Sequence, residues 1–134
     1  MALIGLDTCL WIYLLEDHPR YARKVARLFD SIRDGTDEGV FSALGMIEIL
    51  TGSKKLGRFD LAAQYEQHIR RFPNVSIVGL NEKIVWLASD LRATYNLKTP
   101  DSVHLATAID AEADVFLTND KFLKKVKEIR VQIV

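Results

Sequence analysis

The 134-residue chain is poor in staples and in punctuation: one cysteine, Cys9, three prolines and seven glycines. A lone cysteine excludes an intramolecular disulfide framework and leaves a reducing, cytoplasmic setting as the expectation. Excess charge of one sign is also missing, with 18 Lys and Arg against 18 Asp and Glu. A domain that holds nucleic acid by bulk charge is basic overall, so that class is not indicated. No apolar run approaches the ~18 residues of a membrane span. The apolar start MALIGLDTCLWIYLLED has no basic leader and is interrupted by Asp7, which argues against a secretory signal. There is no internal repeat, low-complexity tract or linker. What remains is an ordinary globular composition, 49% hydrophobic and 27% charged. One domain, residues 1–134, is expected, long enough to bury roughly two-thirds of its unfolded surface.

The balanced charge is unevenly spread. Residues 101–120 carry Asp101, Asp110, Glu112, Asp114 and Asp120 and no Lys or Arg. Residues 121–130 carry Lys121, Lys124, Lys125, Lys127 and Arg130 against Glu128, and residues 19–33 carry Arg20, Arg23, Lys24, Arg27 and Arg33 against Asp30. Acids beside basic flanks suit a cation-holding site that meets an anionic substrate. Solvated helix faces would give the same counts.

Periodicity and capping signals predict strands alternating with helices. Short apolar runs at 2–6, 39–42, 75–80, 115–118 and 129–134 read as strands. Between them, helices are predicted from Thr8 to about His18, from Pro19 to Asp34-Gly35, over 43–52, over 60–72, from Asn81 to Tyr95 and from Thr99-Pro100 to about Ala113, with a short one over 120–127. Leu44, Ile47 and Leu50 are the expected inward face of the 43–52 helix, and SKKLGR after it reads as a polar loop. Such alternation is the signature of βαβ units. The fold class is therefore α/β: a three-layer α/β/α sandwich around a mainly parallel five-stranded sheet.

In such sheets ligands bind outside the carboxyl ends of the strands. Asp7 follows the first strand directly, Asp120 comes two residues after the fourth, Asp101 opens a helix, and Glu48 interrupts Met46-Ile47-Glu48-Ile49-Leu50. Taken singly, Asp7 could be an N-cap, Asp101 a partner for a helix dipole and Asp120 a turn former. A Glu among apolar neighbours is harder to dismiss, because an unpaired buried carboxylate costs several kcal/mol. Four carboxylates in one pocket repel one another unless a divalent cation neutralises them. Oxygen-only donors suit Mg²⁺ or Mn²⁺. Cys9, His18, His68 and His104 are scattered and make no zinc pattern.

The segments LDTCLWIYLLE (6–16), FSALGMIEILTG (41–52), TPDSVHLATAIDAEADVFLTND (99–120) and KFL (121–123) together resemble the PIN-domain ribonucleases, in particular the VapC-type toxins of toxin–antitoxin modules. Each motif is weak alone, but the ordered set, with the acids spaced 41, 53 and 19 positions apart, is specific. The resemblance implies Asp7, Glu48, Asp101 and Asp120 as catalytic, metal-holding acids, with Thr118 and Ser42 in support. It implies a Mg²⁺- or Mn²⁺-dependent endoribonuclease leaving 5′-phosphate and 3′-hydroxyl ends, an RNA substrate, a cognate antitoxin and a homodimer. Cys9 stands where the family often has Asn, and Lys121 alone represents the usual basic residue near the last motif. His104, one turn after Asp101, is either a structural helix residue or a contact of the pocket.

Two other phosphate-handling classes fail on named positions. A dehalogenase-like phosphotransferase needs a second Asp where Cys9 stands, and a receiver domain needs an Asp after its third strand, where this chain has Gly79-Leu80-Asn81. A catalytically silent PIN-type RNA-binding or scaffold module remains as the alternative. Trp11, Tyr13, Trp86 and Tyr95 are candidates for an interface or for a bulky core. Lys54, Lys55 and Arg58 are candidates for holding RNA near the pocket.

Overall fold

A computed structural model describes residues Met1–Val134. The chain runs β1 (Leu3–Leu6), α1 (Thr8–Leu15), α2 (Ala22–Arg33), β2 (Glu38–Ser42), α3 (Ala43–Lys55), α4 (Phe59–Arg70), β3 (Val75–Val78), α5 (Glu82–Tyr95), α6 (Thr99–Asp110), β4 (Val115–Thr118), a 3₁₀ segment Lys121–Lys125, and β5 (Val131–Ile133). The five strands form one sheet in the order β3-β2-β1-β4-β5, with every pairing parallel. Ile4 of β1 lies opposite both Gly39 and Val115. The expected sandwich is therefore present, and its sheet is wholly parallel.

Side chains alternate across the sheet into two cores, as strand geometry requires. Ile4, Leu6, Phe41 and Leu117 pack with α1–α4 residues such as Leu10, Trp11, Phe29, Ile32, Met46, Ile49 and Ile69. Phe116 packs on the other face with Ile84, Leu91, Leu105, Ala106 and Ala108 of α5 and α6. Gly5 lets α6 come close, because a Cβ there would stand 2.6 Å from the Ala108 methyl. This approach seats the N-terminus of α6, and with it Asp101, near the carboxyl end of β1.

Trp11 is fully buried, with its ring 4.5 Å from Phe29, 5.4 Å from Phe72 and 5.9 Å from Phe41. It is a core residue and not interface surplus. Tyr13 stacks on Tyr21 at 4.8 Å, and Tyr95 donates a hydrogen bond to Glu128. Of the four aromatics singled out in the sequence, only Trp86 is largely exposed, at 73%.

Several boundaries differ from the sequence reading. α1 stops at Leu15, short of His18, because Asp17 takes a left-handed backbone (φ 49°). The turn after it is pinned by His18 Nδ1, which accepts from the Arg20 and Tyr21 amides, so α2 begins at Ala22 instead of Pro19. α3 runs through Gly52 to Lys55, and the left-handed glycine that follows it is Gly57 (φ 72°). Thus Lys54 and Lys55 belong to a helix. On α3, Met46 and Ile49 are buried while Ile47 is 66% exposed, one helical step away from the predicted face. The N-cap of α6 is Lys98, with Thr99 and Pro100 already in the first turn. No helix is long and apolar enough to cross a membrane.

Candidate active site

The sheet order makes the site. The chain leaves β1 for β2 on one side and later returns through β4 on the other. The gap beyond the carboxyl ends of β1 and β4 is a topological switch point, where open α/β sheets bind ligands. Asp7 sits there as the N-cap of α1, its amide donating to Leu117 O at 3.1 Å. Both carboxylate oxygens are held: Oδ1 accepts from the Thr8 amide at 2.8 Å and Oδ2 from the Thr118 hydroxyl at 2.6 Å. Thr118 is fully buried. Its oxygen also accepts from the Asp120 amide at 3.1 Å, so one hydroxyl ties the ends of β1 and β4 together.

Asp120 is exposed, and its Oδ1 accepts from the Phe122 amide at 3.0 Å. It is common to two adjoining clefts. One, of about 330 Å³, is lined by Asp7, Cys9, Tyr13, Thr118, Asn119, Asp120 and Lys121. The other, of about 320 Å³, is lined by Asn96, Lys98, Asp101, Asp120 and Phe122. The two clefts, which share Asp120 and are together called the trough, hold Asp7, Asp101 and Asp120, with Lys121 in the first and Lys98 in the second. Two further hollows run along α4 and contain none of these acids.

Asp101 lies in the first turn of α6 and is partly buried. Burial raises its pKa above the ordinary Asp value, and the charges of Asp7, Asp120 and Glu48 raise it further against a smaller opposing effect of His104. Asp101 thus feels the charge of the other three acids. No three His, Cys, Asp or Glu side chains are already gathered as a ligand cluster. The donor set is nonetheless that of a hard divalent cation: acidic oxygens at the mouth of a cleft, with mutual repulsion a cation would relieve.

Glu48 differs from its sequence reading. Its side chain is 41% exposed, so it sits on the rim and the large cost of a buried acid does not arise. Oε1 accepts from the Thr8 hydroxyl at 2.8 Å and lies 2.8 Å from His104 Nε2. The His104 hydrogen bond chiefly, and Thr8 in addition, hold the carboxyl below the ordinary Glu range against the opposing effect of partial burial. His104 is therefore a contact of the site. The sequence reading had Thr8 only as the start of the first helix, not as a residue of the site; its one signal for the site was its place beside Asp7. Ser42 is buried and caps α3, its oxygen accepting from the Leu44 amide at 3.2 Å. Burial, and secondarily the charge of Asp7, pushes the Cys9 thiol up to about 12. Lys54 and Lys55 end α3 about 10 Å beyond Glu48 along the helix axis, and Arg58 is paired with Asp60 at 3.1 Å.

The PIN-domain family model matches residues 4–129. The chain belongs to the PIN-domain family. Its fold is shared with VapBC2 from Rickettsia felis bound to a promoter DNA fragment, at TM-score 0.80 and 15% identity over 98% of both chains. DNA-bound VapBC from Salmonella typhimurium gives TM-score 0.76 at 18% identity, covering 99% of this chain and 98% of that one. VapC20 from Mycobacterium tuberculosis, described as a toxin that cleaves the sarcin-ricin loop, gives 0.73 at 15% identity, covering 96% and 99%. No curated protein matches the sequence.

Proposed function

We propose that this PIN domain is a metal-dependent endoribonuclease acting as the toxin of a toxin–antitoxin pair. The observation that carries the reading is the arrangement at the switch point. Asp7 is fixed by Thr8 and Thr118, Asp120 is tied to the same hydroxyl through its amide, and Asp101 responds to both charges. The full family complement of acids supports an active enzyme over a silent RNA-binding or scaffold module.

Asp7, Asp101 and Asp120, with Glu48 at the rim, would hold Mg²⁺ or Mn²⁺. Bound there, such a cation lowers the pKa of water and offsets charge on the scissile phosphate. The chain's own contribution is placement. Thr118 and the Thr8 amide fix the direction of the Asp7 carboxylate. Lys98 and Lys121, one in each cleft, suit phosphates of the bound strand. No histidine is needed as general base, and the expected ends are 5′-phosphate and 3′-hydroxyl.

The VapBC assemblies with this fold are toxin–antitoxin complexes, which supports an antitoxin as the protein partner here. Exposed Trp86, Leu80 and Val85 support a homodimer, to be checked by sedimentation at micromolar concentration. The deciding assay is incubation with RNA and Mn²⁺, with EDTA and Asp101→Asn as controls. Cleavage that needs both the cation and Asp101 upholds the reading. RNA binding without cleavage would return the protein to the silent-module class.

A further inference from the structure

We propose that His104 is a positioning residue for Glu48, acting through its Nε2–H, in a clamp formed by α6, β2 and α3. This rests on the nuclease reading for its purpose but not for its geometry. His104 Nε2 lies 2.8 Å from Glu48 Oε1 and 3.1 Å from Thr8 Oγ1. The Thr8 hydroxyl gives its one proton to the same Glu48 oxygen, at 2.8 Å. Nε2 is therefore the donor to both, its single proton shared between Glu48 Oε1 and, at the longer distance, Thr8 Oγ1. Two donors converge on Oε1, and Oε2 takes none.

The ring's surroundings hold it in that direction without using its other nitrogen. His104 is 3% exposed, and Nδ1 is buried with no hydrogen-bond partner. Phe41 lies nearly parallel to the ring, at 18° and 6.0 Å between centroids. Gly45 closes the edge: a Cβ there would come 2.8 Å from His104 Cε1 and 2.5 Å from Phe41 Cε1. Glu48 follows Gly45 by three residues, on the adjoining part of the same helix face. The glycine thus opens room for the ring, and the next turn presents the carboxylate to it.

A buried imidazole with a bare Nδ1 is a poor filler, since an apolar side chain would pack there without an unsatisfied nitrogen. Fixing Glu48 explains it. A half-exposed glutamate is free about its side-chain torsions, and a carboxylate that must meet a cation works best when held. Partners that orient a ligand in this way typically contribute ~10–100-fold to metal affinity or activity.

Gln and Asn separate the nitrogens. Gln carries its amide nitrogen as far from Cβ as Nε2, whereas Asn reaches only as far as Nδ1. His104→Gln and His104→Asn are compared with the unaltered protein by free-Mn²⁺ electron paramagnetic resonance, by RNA cleavage, and by melting without metal. The expected result is a ~10–100-fold weaker Mn²⁺ affinity for Asn, and a kcat loss at limiting Mn²⁺ that added Mn²⁺ reverses. Gln should restore most of both. In metal-free melting, His104→Asn should cost less in a Glu48→Ala background than alone. Where the unaltered protein binds Mn²⁺, equal affinities for Gln and Asn would overturn the proposal, as would melting losses that simply add. Coupled melting losses in a protein that neither binds Mn²⁺ nor cuts RNA would sink the nuclease reading and leave the clamp standing.

Discussion

Two glycines on α3 should respond to alanine with opposite signs. Gly52 has nothing within 4 Å of where its Cβ would be and lies inside the helix. Alanine there should gain about 0.8–1 kcal/mol of helix propensity, roughly 3–5 °C of melting temperature for a domain of this size. Gly45 sits in the first turn, where the propensity gain is smaller. Its added methyl meets Phe41 and His104, both held in the core. Overpacking of this kind costs about 1–3 kcal/mol. The net expectation for Gly45→Ala is a loss of about 1–2 kcal/mol, roughly 3–10 °C. Urea unfolding with an unchanged m-value would show a change in stability without a change in the compactness of either state. A second consequence is functional. If the imidazole retreats from the methyl, Glu48 loses a donor, and Mn²⁺-dependent cleavage should fall more than the stability loss explains. Gly45→Ala stabilising the protein as Gly52→Ala does, with cleavage intact, would refute the packing argument between α3 and α6.

Other outcomes follow from the same geometry. The raised pKa of Asp101 means that its ionisation disfavours the folded state at neutral pH, a penalty that disappears as pH falls through the folded pKa towards the unfolded one. Metal-free Asp101→Asn should therefore melt higher than the unaltered protein at pH 7 and lose that advantage in acid; equal melting at pH 7 counts against it. Thr118→Val should cost about 1–3 kcal/mol by stranding Asp7 Oδ2 and the Asp120 amide, and Thr118→Ser should recover most of it in urea unfolding. Replacing Lys98 and Lys121 with Ala should flatten the salt dependence of RNA binding more than replacing Lys54 and Lys55, because only the first pair lines the trough. With its pKa pushed up to about 12, Cys9 should resist iodoacetamide at pH 8 until the chain unfolds; rapid labelling of the native protein would show the thiol to be accessible and ionised.

The order of elements was legible because each strand of a parallel sheet is a short apolar run and each crossover helix brings its own cap or breaker. Asp7 and Asp120 were legible for the same reason: a residue just past a strand needs no tertiary knowledge to be placed at the carboxyl edge. Boundaries slipped where local chemistry was ambiguous. Gly52 looked like a stop, yet no left-handed backbone is needed there, and Gly57 takes that role. Ile47 looked inward because every third residue around it is apolar; the face α3 buries was decided by its packing beside α1 and α4. Glu48 shows the limit most clearly. Its neighbours suggested burial, but burial is a property of the helix face, and that face is the rim. Nothing in the spacing between Thr8, Glu48 and His104 says that they meet, because their contact depends on how α1 and α3, from one face of the sheet, cross α6, from the other, beyond its carboxyl end. That crossing is set by residues with no chemistry of their own, the missing side chains of Gly5 and Gly45. Such positions carry no recognisable signal until the backbone is known. The acids mark where the reaction belongs, and the glycines decide whether the side chains that orient them can reach.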